Sequence, residues 1–329
     1  MSNVDMFVEK AVMEGADGSV VNNIIRATPL VATMPSKETN KGRENVYEVV
    51  TSIDSIPQNE IDSPLTEVNA ESKLERTGLG HWSAKQTVGV GKISELGVPI
   101  GTYFADKASK VFAKTAQNFE SSIIYNSIQS TAIANHKKTG TIFTGNRVHS
   151  LGGATANKQF SIQIVTWDGD NTTGLYSTQA FGGVGSVRTG MFEVIPISGG
   201  TAYEDPTTKI QVYGTTYRMD AGVQLANAQH VTSIVNINNS ASIVADIKTA
   251  NLDYHLSMML ENSAPEDGQT YIYMRPELLT AISSAFKDSV NSTDFAIGDY
   301  SRKILTWQGI PIISTRNMLN GTESVVTGI

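Results

Sequence analysis

The chain has no cysteine in its 329 residues. That absence removes disulfide scaffolds, thiolate nucleophiles and cysteine-ligated zinc or iron–sulfur centres together, and it fits assembly in a reducing cytoplasm. Long apolar runs are also missing: none approaches the roughly 18 residues that a membrane-spanning helix needs. The first residues, MSNVDMFVEK, have neither a basic flank nor an apolar core, so no secretory signal is expected. Positive charge is in deficit. A net charge of −7 argues against the whole chain binding nucleic acid, because neutralising phosphates takes clustered Lys and Arg. What remains is 40% hydrophobic and 17% charged, a globular composition, with enough length for one large domain or two ordinary ones.

Catalytic and cofactor motifs fail on their spacing. Gly89-Val90-Gly91-Lys92 resembles a phosphate loop, but Gln86 stands where the first glycine belongs and Ile93 where Ser or Thr should bind magnesium. Gly182, Gly183, Gly185 and Gly190 miss the dinucleotide pattern, since Arg188 occupies the third glycine position. Asp168-Gly169-Asp170-Asn171 begins like a calcium loop, yet Thr173 replaces the required glycine and no closing Glu follows; a hairpin turn is the better reading. The five histidines (His81, His136, His149, His230 and His255) form no HxH or HxxxH pair, and there is no GxSxG elbow. We therefore expect no catalytic residue, cofactor or metal: not an enzyme.

The strongest positive signal is a stretch from Gly101 to about His136 with no proline and no further glycine. Phe104, Ala108, Val111, Phe112, Thr115, Phe119 and Ile123 recur at helical spacing. Lys107, Lys110 and Lys114 form a second stripe, round the helix from the phenylalanines. At about 1.5 Å per residue this helix would run roughly 50 Å, a strut with one face for its own core and one for something else.

Around it the texture varies. Residues 1–40 read as an extended arm, with apolar clusters too interrupted by Gly15, Gly18, Pro29 and Pro35 to fold alone. Asn45–Ile53 reads as a strand and Trp82–Ile93 as its return, a long hairpin around an acidic loop at 54–81. From Thr141 to about Asn238 the chain is turn-rich and β-like, an antiparallel region. Ser240–Asn262 reads as one helix, Tyr271–Met274 as a buried strand, and Pro276–Phe286 as a helix followed by a polar loop. Lys303–Trp307 and Ile310–Ser314 make a strand pair turning at Gln308-Gly309.

Two passages resemble the major capsid proteins of tailed bacteriophages, the Hong Kong 97 coat fold. KQTVGVGKISELGVPIGTYFADKASKVFAKTAQNFESSI is similar to that family's return strand running into its spine helix. YIYMRPELLTAISSAFKDS with KILTWQGIPIISTRNM is similar to its strand, proline, helix and tightly turned final strand. The resemblance implies an α+β coat subunit: an N-terminal arm (1–40), an extension-loop hairpin (41–95), a spine helix of the peripheral domain (96–140), a β-rich region holding an inserted or elaborated subdomain (141–237), an axial helix–strand–helix (238–300) and C-terminal strands (301–329). Its implied function is self-assembly, through pentamers and hexamers, into an icosahedral head shell in the virion. Such a shell encloses double-stranded DNA without sequence-specific binding, meets a portal and scaffold or decoration proteins, and involves no membrane. An encapsulin-like compartment shell and another phage β-structural protein, such as a tail or decoration component, are the alternatives. Gly97, Gly101 and Gly140 bracket the strut as candidate hinges. In the family the extension loop lies over a neighbouring subunit near its spine helix. This implies that Glu60, Asp62, Glu67 or Glu71 of one subunit meets Lys107, Lys110 and Lys114, or Arg43, of the next.

Overall fold

The computed structural model describes residues 27–53, 69–97, 99–137, 145–177, 187–189, 191–297 and 300–329. Most of the arm (1–26), the hairpin tip with Glu60, Asp62 and Glu67, Gly140 and the Gly182–Gly185 run lie outside them.

The order of elements follows from the chain. A short helix α1 (Pro29–Thr33) and strand β1 (Ser36–Glu38) precede a hairpin of β2 (Glu44–Ile53) and β3 (Ala70–Gly78). Then β4 (Gly80–Gly89) runs straight into α2 (Val90–Leu96). The strut is α3 (Ile100–Ser122), a π-helical segment (Ile123–Gln129) and α4 (Ser130–Ala134), helical throughout. The middle is β5 (Val148–Ser150), β6 (Gln159–Trp167), β7 (Thr172–Tyr176), β8 (Val187–Thr189), β9 (Phe192–Pro196), β10 (Tyr203–Glu204), β11 (Gln211–Leu225) and β12 (Val231–Asn238). The remainder is α5 (Ile243–Thr249), α6 (Leu252–Glu261), β13 (Gln269–Met274), α7 (Pro276–Ala285), β14 (Val290–Ile297), β15 (Tyr300–Trp307) and β16 (Ile310–Ser314).

These strands make two seven-stranded sheets and the separate β2–β3 pair. In the first sheet β11 is the axis: β4 pairs with it from Gly89↔Val212 to Gly80↔Ala221, while β9, β7 and β10 also pair with it and β1 and β8 extend the edges. The second sheet has the order β14-β15-β16-β13-β6-β12-β5. Its central β6 is buried at every position because both faces are covered. Phe160, Ile162 and Ile164 share a core with Ile247, Leu256, Met259 and Ile282 of α5, α6 and α7. Val165 and Trp167, on the alternate face, share the core of the strut.

The strut joins the sheets. Phe112 packs on Phe192 and Tyr217 of the first sheet, with ring centroids 4.6 and 5.7 Å apart, and Phe119 meets Trp82 of β4 at 5.2 Å. Buried positions run 104, 108, 112, 116, 119, 120, 123 and 124, and the last two recur five residues on at Ile128 and Gln129. A π turn, with its i→i+5 bonding, returns residues five apart to one face. The local widening therefore keeps Ile123, Ile124 and Ile128 buried.

Several expectations are corrected. The return strand of the hairpin is β3, not Trp82–Ile93. β3 reads AESKLERTG, without apolar alternation, and among the described residues it pairs with β2 alone. The alternating segment is β4, which belongs to the body, stops at Gly89 and gives way to helix. Residues 29–38 of the arm are tied down in their own subunit: Leu30 and Met34 are buried and β1 pairs parallel to β7. The helix expected over Ser240–Asn262 is two, broken at Asn251, whose φ of 49° is left-handed. The polar loop after α7 contains β14, an edge strand against β15. Asp168–Asn171 is a turn, its carboxylate accepting the N–H groups of Asp170, Asn171 and Thr172, but it carries the chain from the second sheet to the first rather than closing a hairpin. Of the candidate hinges, Gly97 closes α2 at a φ of 62°, whereas Gly101 lies inside α3.

Candidate assembly surfaces

The β2–β3 hairpin runs in register from Glu44↔Gly78 to Ile53↔Ala70, with one bulge between Val50 and Ser52. Ten residues of strand reach about 34 Å. Among the described residues no third strand pairs with it, and Leu74 is 75% exposed. Lys73–Glu75 (2.5 Å) and Arg76–Glu44 (3.8 Å) are surface ion pairs worth little. An isolated two-stranded hairpin is marginal in water, so this one needs something to lie on.

Its root, by contrast, is heavily fastened. Asp220 of β11 is 1% exposed and accepts from Arg43 (3.2 Å), His81 (2.8 Å) and Arg218 (2.8 Å). Asn45, buried at the base of β2, donates to Gln224, and Leu79 N–H donates to Arg43 C=O at 2.9 Å. Arg43 is thus engaged within its own subunit.

The lysine stripe lies on the flank of α3. Lys110 and Lys114 are exposed; Lys107 is half-buried with its Nζ 5.6 Å over the Tyr103 ring. Glu71 is exposed on β3, paired in register with Ser52.

One central residue escaped the sequence reading. Glu120, wholly buried in α3, accepts Leu30 N–H (2.9 Å), Val31 N–H (3.2 Å) and Asn317 Nδ2 (3.0 Å), and also Thr315 Oγ1. Asn317 Nδ2 also reaches Ala27 C=O at 2.7 Å. Burial pushes the Glu120 carboxyl up to about 7, against the hydrogen bonds that pull it down. The available signal was its place: 120 sits on the buried stripe between Phe119 and Ile123. Glu323, which accepts from Tyr125 Oη (2.8 Å), is likewise raised by burial to about 7.

A Thr172–His230–Asp267 row has the spacing of a nucleophile, base and orienting acid, at 2.8 and 3.1 Å. Thr172 and His230 have almost no exposed surface, however, so a substrate cannot reach them. The row holds β7, the turn before β12 and the loop after α6 together.

A family model for the major capsid protein GP7 matches residues 13–327. The chain belongs to that family. It is a tailed-bacteriophage major capsid protein, and the two sheets, strut and projecting hairpin are the Hong Kong 97-type coat fold. The capsid protein resembles the capsid of bacteriophage JBD30 with a TM-score of 0.52 at 9% identity, covering 88% of this chain and 92% of that one. It resembles the bacteriophage Epsilon15 structure with a TM-score of 0.50 at 14% identity, over 90% and 88% of the two chains. The SrpI encapsulin of Synechococcus elongatus PCC 7942 is more distant, with a TM-score of 0.41 at 10% identity over 65% of this chain and 88% of that one. Among curated proteins no relative matches by sequence.

Proposed function

We propose that the capsid protein tiles its shell by laying the β2–β3 hairpin of one subunit across the spine helix of the next. The acidic residues Glu60, Asp62, Glu67 and Glu71 would then come close to Lys107, Lys110 and Lys114. The observation that carries this is a long hairpin with which no third strand pairs among the described residues, in a subunit whose strut shows an exposed lysine flank. Arg43 is the weaker partner, since it already donates to Asp220. The role is structural, with no catalysis; the shell encloses double-stranded DNA and closes on a portal, with scaffold or decoration proteins as further partners, and forms in the host cytoplasm. A net charge of −7 supports a container that does not grip its genome by counterion release.

Each exposed ion pair contributes about 0–1 kcal/mol, but repetition over a closed shell multiplies it. The test is charge reversal. Changing Lys107, Lys110 and Lys114 to glutamate is expected to leave subunit circular dichroism intact and to block shells in electron micrographs. Reversing Glu60, Asp62, Glu67 and Glu71 in the same chain is expected to restore them. Shells of normal yield and salt sensitivity in the triple variant would sink the contact.

A further inference from the structure

Carboxylates hold two of the five histidines: His81 Nδ1 lies 2.8 Å from Asp220, and His230 Nε2 lies 3.1 Å from Asp267. The other three gather where three elements meet. His136 ends the strut just past α4, His149 is the middle residue of edge strand β5, and His255 is on α6. The rings of His149 and His255 are stacked, with centroids 3.6 Å apart and planes 19° from parallel; Tyr254 meets His255 edge-on at 5.2 Å. His136 Nδ1 accepts the backbone N–H of Val148, the first residue of β5, at 3.1 Å.

This geometry requires neutral rings. A protonated Nδ1 on His136 has no lone pair for Val148, and two imidazolium ions stacked in van der Waals contact repel. Nδ1 of His255 is buried with no hydrogen-bond partner among the described residues, so a proton there would be unsatisfied. Neutralising charge is not at hand. None of the three rings is paired with a carboxylate among the described residues. Among the described residues, the charged side chains on α4, β5 and α6 and beside their ends are Lys137, Arg147, Asp253 and Glu261. Arg147 is spent on the carbonyls of Gln229 and Asn262. Asp253, two residues before His255, points about 200° away round α6, and Glu261 is at the far end of that helix. β12, which pairs with β5, contributes no ionisable side chain.

We propose that His136, His149 and His255 form an acid-operated joint that frees β5 from α6 and from the end of the strut while the rest of the subunit stays folded. The strand is suited to release. β5 is the edge of its sheet among the described residues and is short: Val148, His149 and Ser150 pair in register with β12, and the bonds at its ends run from Ser233 N–H to Arg147 C=O (2.8 Å) and from Leu151 N–H to Val235 C=O (3.0 Å). Burial, then His255 and His136, lower the proton affinity of His149; burial, then Lys137, lower that of His136. The joint is independent of where the hairpin docks.

Hydrogen exchange of the full-length protein at pH 7.5 and 5.5, corrected for intrinsic exchange rates, tests it. Protection of the Val148 and Leu151 amides is expected to fall tenfold or more at pH 5.5, with β6 unchanged. A smaller fall, or an equal loss in β6, overturns the joint. In the triple variant His136→Asn, His149→Phe, His255→Phe, the new amide oxygen still accepts from Val148 without titrating. Protection there is expected to be the same at both pH values, and a loss matching the wild type overturns the joint. If that variant does not fold, ring titration of the wild type decides by nuclear magnetic resonance. Midpoints for His136 and His149 below the ordinary value of about 6.5 uphold the joint, and midpoints at or above it overturn it.

Discussion

Position 120 is a carboxylate where the spacing of Phe112, Ala116, Phe119 and Ile123 calls for an apolar side chain. The structure shows what it does there: it satisfies the first amides of α1, which have no acceptor within their own helix, and binds Thr315 and Asn317 beside them. Glu120→Ala would strand several buried donors, each costing about 1–3 kcal/mol. We expect a loss of roughly 3 kcal/mol or more in urea unfolding, and a wild-type midpoint in the variant would show that water replaces the carboxylate freely. The lysine stripe was legible at this scale because exposed charge leaves a spacing pattern on a helix. Glu120 was not, because nothing in NFESS distinguishes a buried acid from a solvated one until Leu30 and Thr315 are brought to it.

Among the elements, legibility tracked the covering of faces. The strut, β13, the Pro276 helix and the turn at Gln308-Gly309 were all readable, the last because φ values of 50° and 86° suit such a two-residue turn. β3 and β14 were not. A strand exposed like β3 needs no apolar alternation, so a polar strand and a polar loop look alike in sequence. The same exposure gives a prediction. Leu74, 75% exposed on β3, has little to lose in the free subunit, so Leu74→Arg should change its stability by no more than about 0.5 kcal/mol. If the hairpin lies on a neighbour, assembly yield measured by sedimentation should nevertheless drop. A variant that assembles like the wild type would place Leu74 outside the contact.

For the whole molecule, buried titratable groups set how stability varies with pH, and two sets oppose each other. Glu120 and Glu323 are raised from 4.5 to about 7. The folded state holds their protons more tightly than the unfolded chain, so their contribution is complete below about 4.5 and is lost as pH rises through about 7. His136 and His149 are lowered. Their neutral rings stabilise above about 6.5, and that contribution falls away as pH drops below it. Glu323→Gln removes one member of the first set. Its melting temperature should fall further behind the wild type as pH goes from 8 to 5, and a gap that does not vary with pH would show that Glu323 carries no proton-linked stability.

The long reach of Glu120 also has a consequence in time. Its hydroxyl donor, Thr315, is 195 residues further along the chain, and a ribosome adding about 5–20 residues each second needs roughly 10–40 s to supply it. Throughout that interval the spine is already synthesised while its buried acid has the Leu30 and Val31 amides but lacks Thr315 and Asn317. Completion of the strut therefore waits for the residues that follow β16. A prematurely terminated subunit carries the defect at the centre of its strut, where it is least able to join a growing shell.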